Sequence, residues 1–179
     1  MAFSHPYGEY NVETTINRWF SANLTANGIP TWMPSARVVF NYPETQLISG
    51  HSGHAFTLSH LGADVIESYQ GRHVDDELGV LKEGIAEVNV WVSQSAAGGA
   101  VTQWSKQAGD MVSYLFVSAR ETEIVHAYGS VTVPTGIGAL VRFNTPEQST
   151  TTNPDPDNPD LIRRRYLLRY RWIERFSAS

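Results

Sequence analysis

Between Leu81 and Ser118 the residue pattern changes period once, and that change constrains the fold more than any other feature of the chain. Glu83, Ile85, Glu87, Asn89 and Trp91 fall on one parity; Gly84, Ala86, Val88, Val90 and Val92 fall on the other. A period of two, rich in Val and Trp, predicts a strand whose even side is wholly apolar. Ser95 to Gly99 (SAAGG) reads as a turn. Beyond it, Val101, Trp104, Ala108, Met111, Val112 and Leu115 recur at intervals of three and four, the spacing of an amphipathic helix. A strand running straight into a wide-striped helix implies a sheet with a helix packed on its face.

The rest of the chain supplies more of the same two parts. Residues 1–10 read as an extended arm, with Tyr7 and Tyr10 available to dock on a neighbour. Asn11 is expected to cap a first helix, with Glu13 in its first turn facing the positive end of the dipole. Val12, Ile16, Trp19, Phe20 and Leu24 form that helix's apolar stripe, and Gly28 with Pro30 stops it. Ala36–Tyr42 and His54–His60 read as strands, and 62–79 reads as a long loop holding Asp75, Asp76 and Glu77. Glu123–Val133 and Gly138–Phe143 are two further expected strands. Residues 145–160, TPEQSTTTNPDPDNP followed by Asp160, read as a flexible polar loop.

The segment 161–179 then returns to a period of two. Tyr166, Leu168, Tyr170, Trp172 and Phe176 share one parity; Arg163, Arg165, Arg169, Arg171 and Arg175 share the other. This predicts a strand with an aromatic face turned inward and an arginine face turned out. Together the elements predict an α+β fold, a mixed or antiparallel sheet with two amphipathic helices packed on one face. Residues 11–144 form the body of that domain, and the 161–179 strand completes its sheet.

Composition narrows the chemistry. The 179 residues suit one domain, and the absence of cysteine excludes disulfides, thiolate nucleophiles and sulfur-ligated zinc. No apolar run reaches the roughly 18 residues that span a bilayer. The start, MAFSHPYGEY, has neither the basic leader nor the apolar core of a signal peptide, so synthesis and assembly in the cytoplasm are expected. Residues 1–160 hold 7 Lys/Arg against 17 Asp/Glu, a charge of −10, whereas 161–179 hold six Arg and one Glu, or +5. An acidic body with a basic segment implies a meeting with something anionic.

The candidate reactive groups point to binding more than to catalysis. His51, His54 and His60 are close in sequence but lack a local carboxylate, and read as polar loop and strand residues, not metal ligands. Asp75, Asp76 and Glu77 lack the spacing of an oxygen-ligated calcium loop and read as a solvated acidic cluster or a contact for a neighbour's arginines. Nucleophile-elbow, phosphate-loop, dinucleotide and zinc-helix motifs are all missing, so no catalytic residue, metal or cofactor is assigned. The arginine face has three readings. It protects an edge strand, it pairs with acidic surface on an adjacent subunit, or it neutralises phosphates of nucleic acid. Five like charges on one strand face repel one another, which favours an outside partner.

In the order of its elements the chain resembles the tail terminator (tail completion) family of long-tailed bacteriophages. The stretches that carry the likeness are VETTINRWFSANL, ARVVFNY, GIAEVNVWVSQ, AVTQWSKQAGDMVSYLF, and GALVRF followed by RRRYLLRYRW. The resemblance implies a structural virion protein without catalytic residues. It implies a ring, expected to be a hexamer, that caps the tail tube, stops its polymerisation and joins the tail to the head connector or head-completion protein. Genome DNA would cross the lumen without specific binding, and no membrane is involved. On this reading Arg163, Arg165, Arg169, Arg171, Arg175, Asp75, Asp76, Glu77, Tyr7 and Tyr10 are the candidate subunit or partner contacts. Another neck or tail component, a monomeric module for an anionic ligand, and a small enzyme using the histidine cluster or the 75–77 acidic loop are the alternatives.

Overall fold

In the computed structural model, residues 8–26, 33, 36–40, 53–69, 77–118, 121–123, 140–152 and 158–177 are described. The chain runs α1 (Glu9–Ala26), β1 (Arg37–Phe40), β2 (Ala55–Tyr69) and β3 (Glu77–Ser93). One helical turn (Gln94–Ala97) and a 3-10 turn (Gly98–Ala100) then lead into α2 (Val101–Ser118). β4 (Glu121–Glu123), β5 (Leu140–Phe143), β6 (Glu147–Thr152) and β7 (Leu161–Ser177) follow. The seven strands form one mixed sheet in the order β1-β2-β3-β7-β5-β4, with β6 also on β7. β1 lies parallel to β2 and the other pairs are antiparallel, so the α+β expectation holds.

The even parity of the central strands is the helix side. Ala86, Val88, Val90 and Val92 of β3, Phe56 and Leu58 of β2, and Leu168, Tyr170 and Trp172 of β7 are buried there. They meet Val12, Ile16, Phe20 and Leu24 of α1 and Ala108, Val112, Leu115 and Phe116 of α2 in one core. Phe116 ties the helices together, stacking on Phe20 at 5.6 Å and tilting against Trp19 at 5.2 Å. Two glycines set how closely the layers approach. A Cβ at Gly109 of α2 would overlap the Tyr166 hydroxyl, and one at Gly84 of β3 would overlap the Tyr170 ring. The helix therefore sits down on β7 at Gly109, and Tyr170 lies flat across the strand at Gly84.

Several expected boundaries are corrected. The helix begins at Glu9, so Asn11 is not a cap but a buried residue inside it, and Glu9, not Glu13, occupies the first turn. Tyr10 is likewise helical and exposed, not part of an arm; residues 1–7, with Tyr7, lie outside the described residues. The expected 62–79 loop is largely strand: β2 continues to Tyr69 and β3 starts at Glu77. Two register shifts, at His60/Gly62 and Val65/Glu67, leave Leu61 and Ile66 as extra residues in β2. Such bulges break the period of two that a sequence reading needs. Asp75 and Asp76 lie outside the described residues.

The expected flexible loop 145–160 contains β6, which pairs Glu147–Thr152 along β7 from Leu167 to Arg163. Threonine is a strand former, and three in a row serve an edge well. The expected turn at 95–99 is helical. Of the two strands expected after α2, the structure describes Glu121–Glu123 and Leu140–Phe143; residues 124–139 lie outside the described residues. No helix is long and apolar enough to cross a membrane among the described residues.

Candidate functional site

The arginine face of β7 is the outer face of the sheet, opposite the helices. Antiparallel register sets Glu83 of β3 directly against Arg171, and Glu87 against Leu167, between Arg165 and Arg169. The like charges of β7 are therefore interleaved with carboxylates of the same chain, which answers the repulsion expected of an isolated arginine row.

The inner end of this face is a closed network. Glu87 takes Arg163 Nη2 at 2.9 Å and Asn89 Nδ2 at 2.8 Å on one oxygen, and Arg165 Nη2 on the other. Asn89 Oδ1 accepts from Arg163 Nε at 3.0 Å, and its amide donates to Thr57 Oγ1 at 3.3 Å. The Trp91 indole N–H reaches the same hydroxyl, and the Arg163 guanidinium lies 4.7 Å from the Trp91 ring centroid. The Glu87 side chain is only 5% exposed and that of Arg163 17%. A carboxylate so placed is held by charge-assisted hydrogen bonds that fix β2, β3 and β7 in one register.

The outer end is open. Arg169 Nη1 and Arg171 Nε share Glu83, at 3.2 and 2.6 Å, and both guanidiniums are about half exposed. The hydrogen bond from Arg171 does most to hold the Glu83 carboxyl below its usual range; partial burial opposes it, and the charges of Arg171 and Arg169 reinforce it. Register extends this pair into a line across four strands: Asp64 of β2 beside Glu83, then Arg171, then Arg142 of β5. Along these four strands two acids are followed by two bases at one level. Asp64 and Arg142 are exposed, and among the described residues Asp64 has no ion-pair partner. Arg175 and Glu77 stand near the far ends of β7 and β3, where Arg175 pairs with Gly79 and Glu77 with Ser177.

Glu83, Glu87, Asp64 and Arg142 are the members that sequence reasoning left out. The spacing of Glu83 and Glu87 on the odd parity of β3 is visible in the sequence, but their pairing with β7 needs the strand order. Arg164, of the opposite parity, turns inward, and its Nε donates to Ser105 Oγ of α2 at 2.7 Å.

The histidines do not converge. His54 is buried, accepts the Ser93 backbone N–H on Nδ1 at 3.2 Å, and meets Trp104 edge-on. His60 lies on the helix side, with the Tyr170 hydroxyl 3.0 Å from Nδ1, Asn17 Oδ1 3.0 Å from Nε2 and a Glu13 oxygen 4.0 Å away. Because Asn17 Oδ1 only accepts, Nε2 carries the proton and Tyr170 donates to Nδ1. Burial lowers the His60 pKa to about 4, partly countered by a hydrogen bond with the Glu13 backbone. Burial, with help from the charge of Glu9, raises that of Glu13 to about 7. His51 lies outside the described residues, and no group of three metal-ligating side chains occurs among those described.

No protein-family model matches the sequence, and no curated protein matches it.

Proposed function

We propose that this chain is a structural assembly protein of a bacteriophage tail, a ring-forming subunit of the tail-terminator kind. The observation that carries this reading is the open edge of β2. β1 covers β2 only from Ala55 to Leu58. From Ser59 to Tyr69 no strand lies on that side of β2 among the described residues. This stretch carries exposed Leu61, Val65 and Ile66. An apolar open edge is a liability in a lone monomer and a ready contact for a neighbouring subunit. A contact between one sheet edge and a different surface of the next copy is heterologous, and it closes into a ring when the rotation fits.

On this reading the ring caps the tail tube and meets the head connector, and DNA crosses its lumen without specific contacts. Light scattering at two salt concentrations, with electron microscopy of the same samples, tests it. Closed annular particles near six copies are expected, alone or on tubes of the virion's own tube protein. Leu61→Lys/Val65→Lys should abolish the rings while leaving the circular dichroism spectrum unchanged. Particles that stay monomeric even on the tubes, or rings untouched by the edge substitutions, refute the reading.

A further inference from the structure

The outer end of the arginine face has a symmetry of its own. Over the four strands β2, β3, β7 and β5 its charges run Asp64, Glu83, Arg171, Arg142, so within these four the signs invert about the seam between β3 and β7. We infer that this face is a self-complementary docking surface for a second copy of the chain, related by a twofold axis along that seam.

Rotating a copy by 180° about this axis and laying it face to face puts Asp64 of one copy over Arg142 of the other, and Glu83 over Arg171. Each contact occurs twice, as an isologous interface requires. Four strands about 4.8 Å apart carry the row, and packed sheets stand about 10 Å apart, a gap that paired carboxylate and guanidinium side chains can fill. The same rotation lays Leu81 of one copy against Ile173 of the other, since these two also face each other across the seam. Ile173 is exposed, and Leu81 is half-buried. Glu83 already holds Arg171 in its own chain, so the second copy closes a four-membered ring of alternating charge without moving either side chain far.

The area is modest, roughly 300 Å² per copy from about four strands by five residues, so the pair is weak, with a Kd in the micromolar range or above. The inference does not rest on the ring reading, because it uses the face of the sheet and not its edge.

The test is sedimentation velocity across a concentration series at two salt concentrations. It compares the native chain with Asp64→Lys, Arg142→Glu, the double variant Asp64→Lys/Arg142→Glu, and an equal mixture of the two single variants. A two-copy species that weakens with salt is expected. Each single reversal should weaken it about tenfold, because both symmetry-related contacts turn from attraction to repulsion. The double variant and the mixture should recover it. Leu61→Lys/Val65→Lys should keep the pair while losing rings, which separates failure here from failure of the ring reading. No two-copy species at any concentration, single reversals without effect, or a double variant that does not recover each overturn the proposal. So does binding of polyphosphate in place of a second copy.

Discussion

Glu87 and Glu83 offer a close comparison, because each carboxylate takes two arginines of β7, and they differ in burial and in the Asn89 amide that Glu87 alone accepts. Replacing Glu87 by Gln keeps the shape and the contact with Asn89 but removes the charge that Arg163 and Arg165 face. A charge-assisted hydrogen bond contributes about 1.5–3 kcal/mol. The bond from Arg163, 17% exposed, should be lost at about 2 kcal/mol; Arg165 is 40% exposed, can turn to water, and adds about 0.5 kcal/mol. The total, about 2–3 kcal/mol, lowers the thermal midpoint of a chain this size by roughly 5–10 °C. Glu83→Gln faces two half-exposed arginines and should cost below about 1 kcal/mol. Urea unfolding followed by tryptophan fluorescence, at protein concentrations low enough to keep the chain monomeric, measures both. Equal losses for the two variants, or a Glu87→Gln loss under about 1 kcal/mol, would refute the view that burial decides the weight of these pairs.

Gly84→Ala should destabilise by about 1–3 kcal/mol, because the added methyl meets the Tyr170 ring, which is stacked on Trp172 at 5.6 Å and cannot swing away. Pairing it with Tyr170→Leu should recover part of the loss; a neutral Gly84→Ala contradicts the packing argument. Stability should also pass through a maximum between pH 4 and pH 7. The Glu13 pKa is raised above its ordinary 4.5, so its contribution is complete below that value and is lost as pH rises through about 7. The His60 pKa is lowered from 6.5, so its contribution is complete above that value and is lost as pH falls through about 4. Glu13→Gln should flatten the alkaline limb alone in a series of urea melts; an unchanged limb assigns the titration elsewhere.

The parity of β7 was legible because nothing interrupts it, and Tyr166, Leu168, Tyr170 and Trp172 are buried as their spacing requires. The α2 stripe was legible for the same reason, and Gly109 joins it only because Tyr166 presses on it from another element. The outer half of β2 was hidden by its own bulges and by Gly62, whose φ of 127° belongs to the region that favours glycine and reads as a turn. β6 was hidden by composition, since a polar threonine run becomes a strand only when β7 lies beside it. The carboxylates of the arginine face were hidden by topology. Glu87 and Arg163 are 2.9 Å apart in space but belong to strands that are neighbours only through a long crossover.

That crossover bears on how the protein comes off the ribosome. β3 pairs with β7 through residues 68 to 100 positions apart, from Ser93 with Leu161 to Glu77 with Ser177. While 94–160 are being synthesised, β3 has emerged with one side unpaired, and Glu87 is present without either of its guanidiniums. Contacts this distant in sequence are slow to form, and waiting strands are open to aggregation. β7 lies between β3 on one side and β5 and β6 on the other, so the apolar layer and the ionic face are complete only once β7 is in place. A chain that stops before residue 161 lacks β7, the strand that joins β3 to β5 and β6.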